Sequence, residues 1–131
     1  MIKKFFAKII ANNQEGLQMI SAHLSGSKVK IASIKYLQSN KIFLLSVERI
    51  KVENEDINKK INSICRVDYV SKVRSKNINQ KNKELILELI AINYLKNKND
   101  YEINLIFNNN ALMTLTVETI EVRLEDQNEI N

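Results

Sequence analysis

The stretch that decides the fold runs from residue 101 to 117: Tyr101-Glu102-Ile103-Asn104-Leu105-Ile106-Phe107-Asn108-Asn109-Asn110-Ala111-Leu112-Met113-Thr114-Leu115-Thr116-Val117. Tyr101, Ile103, Leu105 and Phe107 recur at every second residue, the period of a strand with one buried face. Three asparagines then interrupt the pattern, and Asn tolerates the left-handed backbone that a tight turn needs. Met113, Leu115 and Val117 resume the alternation. The spacing predicts an antiparallel hairpin.

Upstream of this hairpin, Asn97-Lys98-Asn99-Asp100 is a turn composition. Residues 83–95 fit two templates, since Leu85, Leu89 and Ile92 suit a helix while Leu85, Leu87, Leu89 and Ala91 suit a strand. The turn that follows selects the strand. Residues 61–69 alternate with Ile61, Ser63, Cys65, Val67 and Tyr69 on one face, and the three-residue spacing of Val67, Val70 and Val73 predicts a bend between two strands. Phe43, Leu45 and Val47 mark the inner face of 41–50, which pairs with 28–37 across Gln38-Ser39-Asn40. The polar run 51–60 reads as a loop. Residues 2–10 alternate and read as a strand. Asn12 and Glu15 resemble a capping box ahead of a helix at about 13–25, which carries Leu17, Ile20 and Leu24 and stops at Gly26. Beyond Glu118, Ile120 and Leu124 lie four apart among acids, which predicts a terminal helix.

The elements add up to an α+β fold, mainly antiparallel β, in a single domain over residues 1–131. An N-terminal helix after the first strand, a bent strand pair and a closing C-terminal helix look like a pleckstrin-homology-like or GRAM-like partly closed barrel. That analogy carries no function by itself.

Composition narrows the function classes. The chain has 131 residues, 44% hydrophobic and 27% charged, the size of one domain at about 150 residues each. One cysteine, Cys65, excludes an internal disulfide framework and fits a reducing compartment. No apolar run reaches the roughly 20 residues of a membrane span, and Lys8 with the following Asn12-Asn13-Gln14-Glu15 interrupts the signal-like start. A cytoplasmic location is expected. Net charge is +5, but residues 1–99 carry 19 basic and 8 acidic groups while 100–131 carry 1 and 7. A positive body attracts phosphates or an acidic partner; the plainer reading is a solvated lysine-rich surface, helped by an Ile-, Lys- and Asn-rich codon usage.

Several segments resemble a bacterial family known as domain of unknown function 2948. They include Ile20-Ser21-Ala22-His23-Leu24, Lys41-Ile42-Phe43-Leu44-Leu45-Ser46-Val47-Glu48-Arg49 and Ile64-Cys65-Arg66-Val67. The series continues with Val70-Ser71-Lys72-Val73-Arg74-Ser75-Lys76-Asn77-Ile78 and Val117-Glu118-Thr119-Ile120-Glu121-Val122-Arg123-Leu124-Glu125-Asp126, in order from about residue 5 to 126. Asn77 stands where the family pattern usually has Gly. The resemblance implies a small stand-alone bacterial cytoplasmic domain and brings no activity, cofactor or catalytic residue.

The chemical inventory is thin. With Gly16 and Gly26 as the sole glycines, no phosphate-cradling Gly-rich motif exists. Cys65 reads as a small core residue. His23, on the flank of the helix stripe, is a candidate base without a nucleophile. Arg49, Arg66, Arg74 and Arg123 stand out in a chain with 16 Lys and 4 Arg, and they fall on basic positions of the resembled family. They read either as structural ion pairs with Glu48, Asp68 or the acids of the C-terminal segment, or as a patch whose planar forks recognise a carboxylate or other anion. No cofactor or metal is expected. The leading expectation is a non-catalytic cytoplasmic module that binds a protein, a second copy of itself or an anionic ligand at Arg49, Arg74, Arg66, Arg123 and His23. Weak, non-specific nucleic-acid binding is the alternative, and a small enzyme with a site near His23 is third.

Overall fold

The computed structural model describes residues 7–54 and 57–130. Strand β1 (Lys8–Ala11) leads into helix α1 (Gln14–Leu24), then β2 (Ser27–Lys30) and β3 (Ile34–Leu37). A single 3-10 turn at Ile31–Ser33 separates those two, and a second, Gln38–Asn40, precedes the long β4 (Ile42–Asn54). The remaining strands are β5 (Ile57–Val67), β6 (Val70–Lys76), β7 (Ile86–Lys96), β8 (Tyr101–Phe107), β9 (Leu112–Val117) and β10 (Val122–Ile130). All described pairings are antiparallel, in the order β1-β10-β5-β4-β2-β7-β8-β9-β6, with β3 on the first half of β4. The sheet is not closed into a barrel.

The hairpin of residues 101–117 is present as predicted, with Tyr101 opposite Val117 and Leu105 opposite Met113. Asn109 and Asn110 hold φ of 59° and 60° in its turn, the left-handed region that Asn enters at low cost. Ile103, Leu105, Phe107, Leu115 and Val117 are buried. Residues 86–96 form a strand, and the register shift between Leu89 and Ala91 explains the helical spacing in the sequence. The extra residue, Ile90, moves the buried face from Leu87 and Leu89 to Ile92.

The helix lays Leu17, Ile20 and Leu24 into the core against β1 and β7. Its cap is Asn13 rather than Asn12: the Asn13 side chain accepts from the Gly16 amide at 2.8 Å. Gly26 follows the helix at φ 86°, a conformation that costs glycine little. Cys65 lies between Leu45 and Leu124 in register and is buried. Burial pushes its thiol up to about 12.

Four expectations need correction. The predicted C-terminal helix is strand β10: the acids that simulate a helix face alternate with Val122 and Leu124, which are buried opposite Val67 and Cys65. Residues 51–54 and 57–60 continue β4 and β5 rather than forming a loop, as the ladder from Lys51 opposite Lys59 to Asn54 opposite Ile57 shows, with one irregularity between Val52 and Asn54; residues 55 and 56 lie outside the described residues. The predicted strand 28–37 is split into β2 and β3 by the 3-10 turn, because β2 must pair with β7 while β3 stays on β4. Tyr69 is exposed in the β5–β6 turn at φ 61° instead of joining the inner face of Cys65. Of the expected first strand, residues 2–6 lie outside the described residues.

Candidate functional site

The four arginines do not converge. Arg49 is buried on the inner face of β4 and meets Asp126 through two hydrogen bonds, Nε to Oδ1 at 3.0 Å and Nη2 to Oδ2 at 2.6 Å. Ser63 Oγ donates to Asp126 Oδ1 at 2.5 Å and the Ala7 amide to Oδ2 at 2.7 Å. Burial alone would push the Asp126 carboxyl up. The bonds from Arg49, Ser63 and Ala7, with the arginine charge, more than offset that and hold it below its ordinary value. The strand irregularity between Asp126 and Asn128 marks where β10 carries this inward-facing acid.

The other three are paired with acids at half-exposed positions. Arg66 places Nε and Nη2 on Asp68 Oδ1 at 3.0 and 2.9 Å. Arg74 reaches Glu102 at 2.9 Å, and Arg123 lies 3.6 Å from Glu121. His23 is exposed in the last turn of α1, its Nδ1 donating to the Met19 carbonyl at 2.9 Å. Arg49 and Arg74, which the sequence reading offers as members of one patch, have separate partners: Arg49 is sealed against Asp126 of β10, and Arg74 stands on β6 with Glu102.

A different place gathers apolar and cationic groups around a cleft. The free edges of β3 and β6, each paired on its other side only, flank a cleft of about 270 Å³. Ile34 and Tyr36 line it from β3, Val73 and Ser75 from β6, and Ile78, Gln80 and Lys83 from the connection to β7. Phe43, Ile31 and Met113 reach it from the buried core. At one end the two edges are stitched together: the Val70 amide donates to the Lys41 carbonyl at 2.8 Å, and the Tyr36 hydroxyl donates to the Val70 carbonyl at 2.9 Å. Lys41 and Tyr69, both with left-handed backbone, bracket this corner. Such a conformation costs a non-glycine residue roughly 1–2 kcal/mol.

The surroundings of the cleft are one-signed. Residues 27–47 carry four lysines and no acid, and 69–83 carry five basic groups and no acid. Lys41 is paired with Glu118 at 2.5 Å; this bond and the glutamate charge push its ammonium up against the small opposing effect of burial. Lys35, Lys72, Lys76, Lys81 and Lys83 are exposed, and among the described residues none of them is ion-paired with an acid. An apolar floor with unpaired backbone edges and a cationic border can hold an elongated, partly apolar anion. The sequence reading missed Tyr36, Ile78 and Lys83 because it followed the arginines. The acid-free intervals were the readable signal.

Two further clefts open elsewhere. One, about 240 Å³, lies on the outer face between Lys28, Lys30, Ser46 and Glu48; another, about 270 Å³, separates α1 from β7 at Leu17, Gln18, Tyr94 and Leu95. Neither lies between two free strand edges. Among the described residues no group of three or more His, Cys, Asp or Glu side chains is placed to hold a metal ion. No helix among them is long and apolar enough to cross a membrane.

A family model described as protein of unknown function (DUF2948) matches residues 7–131, nearly the whole chain. No curated protein and no solved structure matches it.

Proposed function

The chain belongs to the DUF2948 family, and from that premise we propose that it is a non-catalytic binding module whose site is the cleft between β3 and β6. One observation carries this reading: a cleft lined by the half-buried Ile34, Tyr36, Val73 and Ile78 lies over the hydrophobic core between two strand edges, with lysines in the segments on either side. The polar groups that line the cleft are Tyr36, Ser75, Gln80 and Lys83, a set suited to holding a ligand rather than to moving protons between an acid and a base. Its ligand is anionic, as the acid-free borders require. We place the module in the cytoplasm, in keeping with a buried free thiol at Cys65.

Anilinonaphthalene sulfonate, an aromatic anion, is a suitable probe. The native protein should bind it at one site, and Ile78→Asp should weaken that binding several-fold at a temperature where the variant is still folded, even though losing the Ile78 packing against the core lowers its melting temperature. Leu95→Asp, which alters the cleft beside α1, should leave dye binding unchanged. Equal binding by all three proteins would refute the assignment of the site.

A further inference from the structure

We propose that the cleft recognises an acidic protein segment in extended conformation, which adds as a strand to the free edge of β6. Its alternate apolar side chains rest on the cleft floor and its carboxylates lie among the bordering lysines. This rests on the reading of the cleft as a binding site and names the class of ligand.

Three features select that partner. Strand β6 pairs with β9 along one side only, and with the Val70 amide and carbonyl taken by Lys41 and Tyr36 residues 71–76, about 20 Å of edge, offer backbone donors and acceptors to an incoming chain. Strand β3, at four residues, is the lesser edge. Next, an extended segment presents every second side chain to the same face, and the floor beneath β6 is apolar at Val73, Phe43 and Met113. Finally, residues 69–83 carry five basic groups without an acid, and among the described residues Arg74 alone of the five is paired, with Glu102. Lysines on an edge strand repel a like edge and so guard against aggregation; the strand that they attract instead is acidic.

Nucleic acid fits less well. Bases need open aromatic faces to stack upon. Tyr69 at the corner of the cleft is exposed, whereas Tyr36 is half-buried with its hydroxyl on Val70, and Tyr94 packs against Tyr101 with ring centres 6.1 Å apart. Among the described residues, therefore, no run of stacking faces follows the cleft.

The test measures the anisotropy of labelled peptides of about eight residues, the length of an ordinary strand. One peptide alternates Val with Glu, a second Val with Thr, a third Val with Lys. Two more are the acidic peptide with one or the other alternate set of amides N-methylated, and a single-stranded oligothymidylate is the sixth probe. The acidic peptide should bind about tenfold more tightly than the neutral and basic ones. N-methylation of one set should abolish binding while the other set is tolerated, since a strand bonds its neighbour through alternate residues. The triple variant Lys72→Glu, Lys76→Glu, Lys83→Glu should lose about tenfold in acidic-peptide affinity at unchanged melting temperature. Indifference to peptide charge, tolerance of both methylated sets, or preference for the oligothymidylate would overturn strand addition by an acidic chain. If every peptide fails while dye binding still depends on Ile78, the inference falls and the binding-site reading stands. If dye binding ignores Ile78 as well, both fall.

Discussion

Asp126 shows how single residues carry the cost and benefit of a buried charge. Its two oxygens receive Arg49, Ser63 and the Ala7 amide, so the pair is sealed and satisfied. Asp126→Asn removes the charge but leaves Arg49 buried, an uncompensated cation that costs about 3–5 kcal/mol. The folded carboxyl lies below its ordinary value, so the unfolded chain takes up its proton first as pH falls. Asp126 therefore contributes stability that is fully present above about pH 4 and drains away as acidity passes through the folded value. Urea melts taken from about pH 7 downward through the ordinary carboxylate range should show a steep acid loss in the native protein and a shallower one in Asp126→Asn. Identical slopes would mean that the pair is uncoupled from folding. At this scale the sequence was partly readable. Arg66 and Arg123 find acids that the sequence reading had named, Asp68 and Glu121. The Arg49 partner was hidden because Asp126 was read on a helix. Asn77, where the resembled family usually has Gly, has φ 60°, which gives that substitution a physical reason: both residues enter the left-handed region readily.

Elements were legible where the period of two ran unbroken and misread where a bulge or a chance spacing imitated a helix. Residues 101–117 belong to the first kind. In β7 the extra residue Ile90 shifts the buried face by one and produces the three- and four-residue spacings of a helix. In β10, Ile120 and Leu124 are four apart only because Ile120 belongs to the preceding turn, while Val122 and Leu124 supply the strand alternation. The loop expected at 51–60 rested on polarity, yet β4 and β5 extend through it as a paired ribbon, whose backbone bonds do not depend on apolar side chains. The helix offers a prediction of its own. A methyl group at Gly16 would sit 2.9 Å from Ala11 Cβ and 3.0 Å from its Cα, closer than β1 can yield. Gly16→Ala should gain up to about 1 kcal/mol in helix propensity and lose more by forcing α1 off β1, for a net loss of about 1–2 kcal/mol. A rise in melting temperature would show that the α1–β1 contact is slack.

Across the whole molecule, the charge asymmetry of the sequence is settled by topology. The C-terminal quarter places Glu102, Glu118 and Asp126 beside Arg74, Lys41 and Arg49, so three acids of one end neutralise the basic body at chosen points, while Glu121 meets Arg123 within its own end. Lys35, Lys72, Lys76, Lys81 and Lys83, which are outside these pairs, lie in the segments that border the gap between β3 and β6. No sequence period reveals that gap, since it depends on which edges remain unpaired in two strands separated by residues 38–69. The most direct measurement of the account is hydrogen–deuterium exchange with and without saturating anilinonaphthalene sulfonate. The dye should slow exchange in Ile31–Leu37 and Val70–Lys83 and leave β5 and β10 unchanged. Protection confined to Gln14–Gln18 and Tyr94–Lys96, or spread evenly over the chain, would contradict the assignment of the β3–β6 cleft as the binding site.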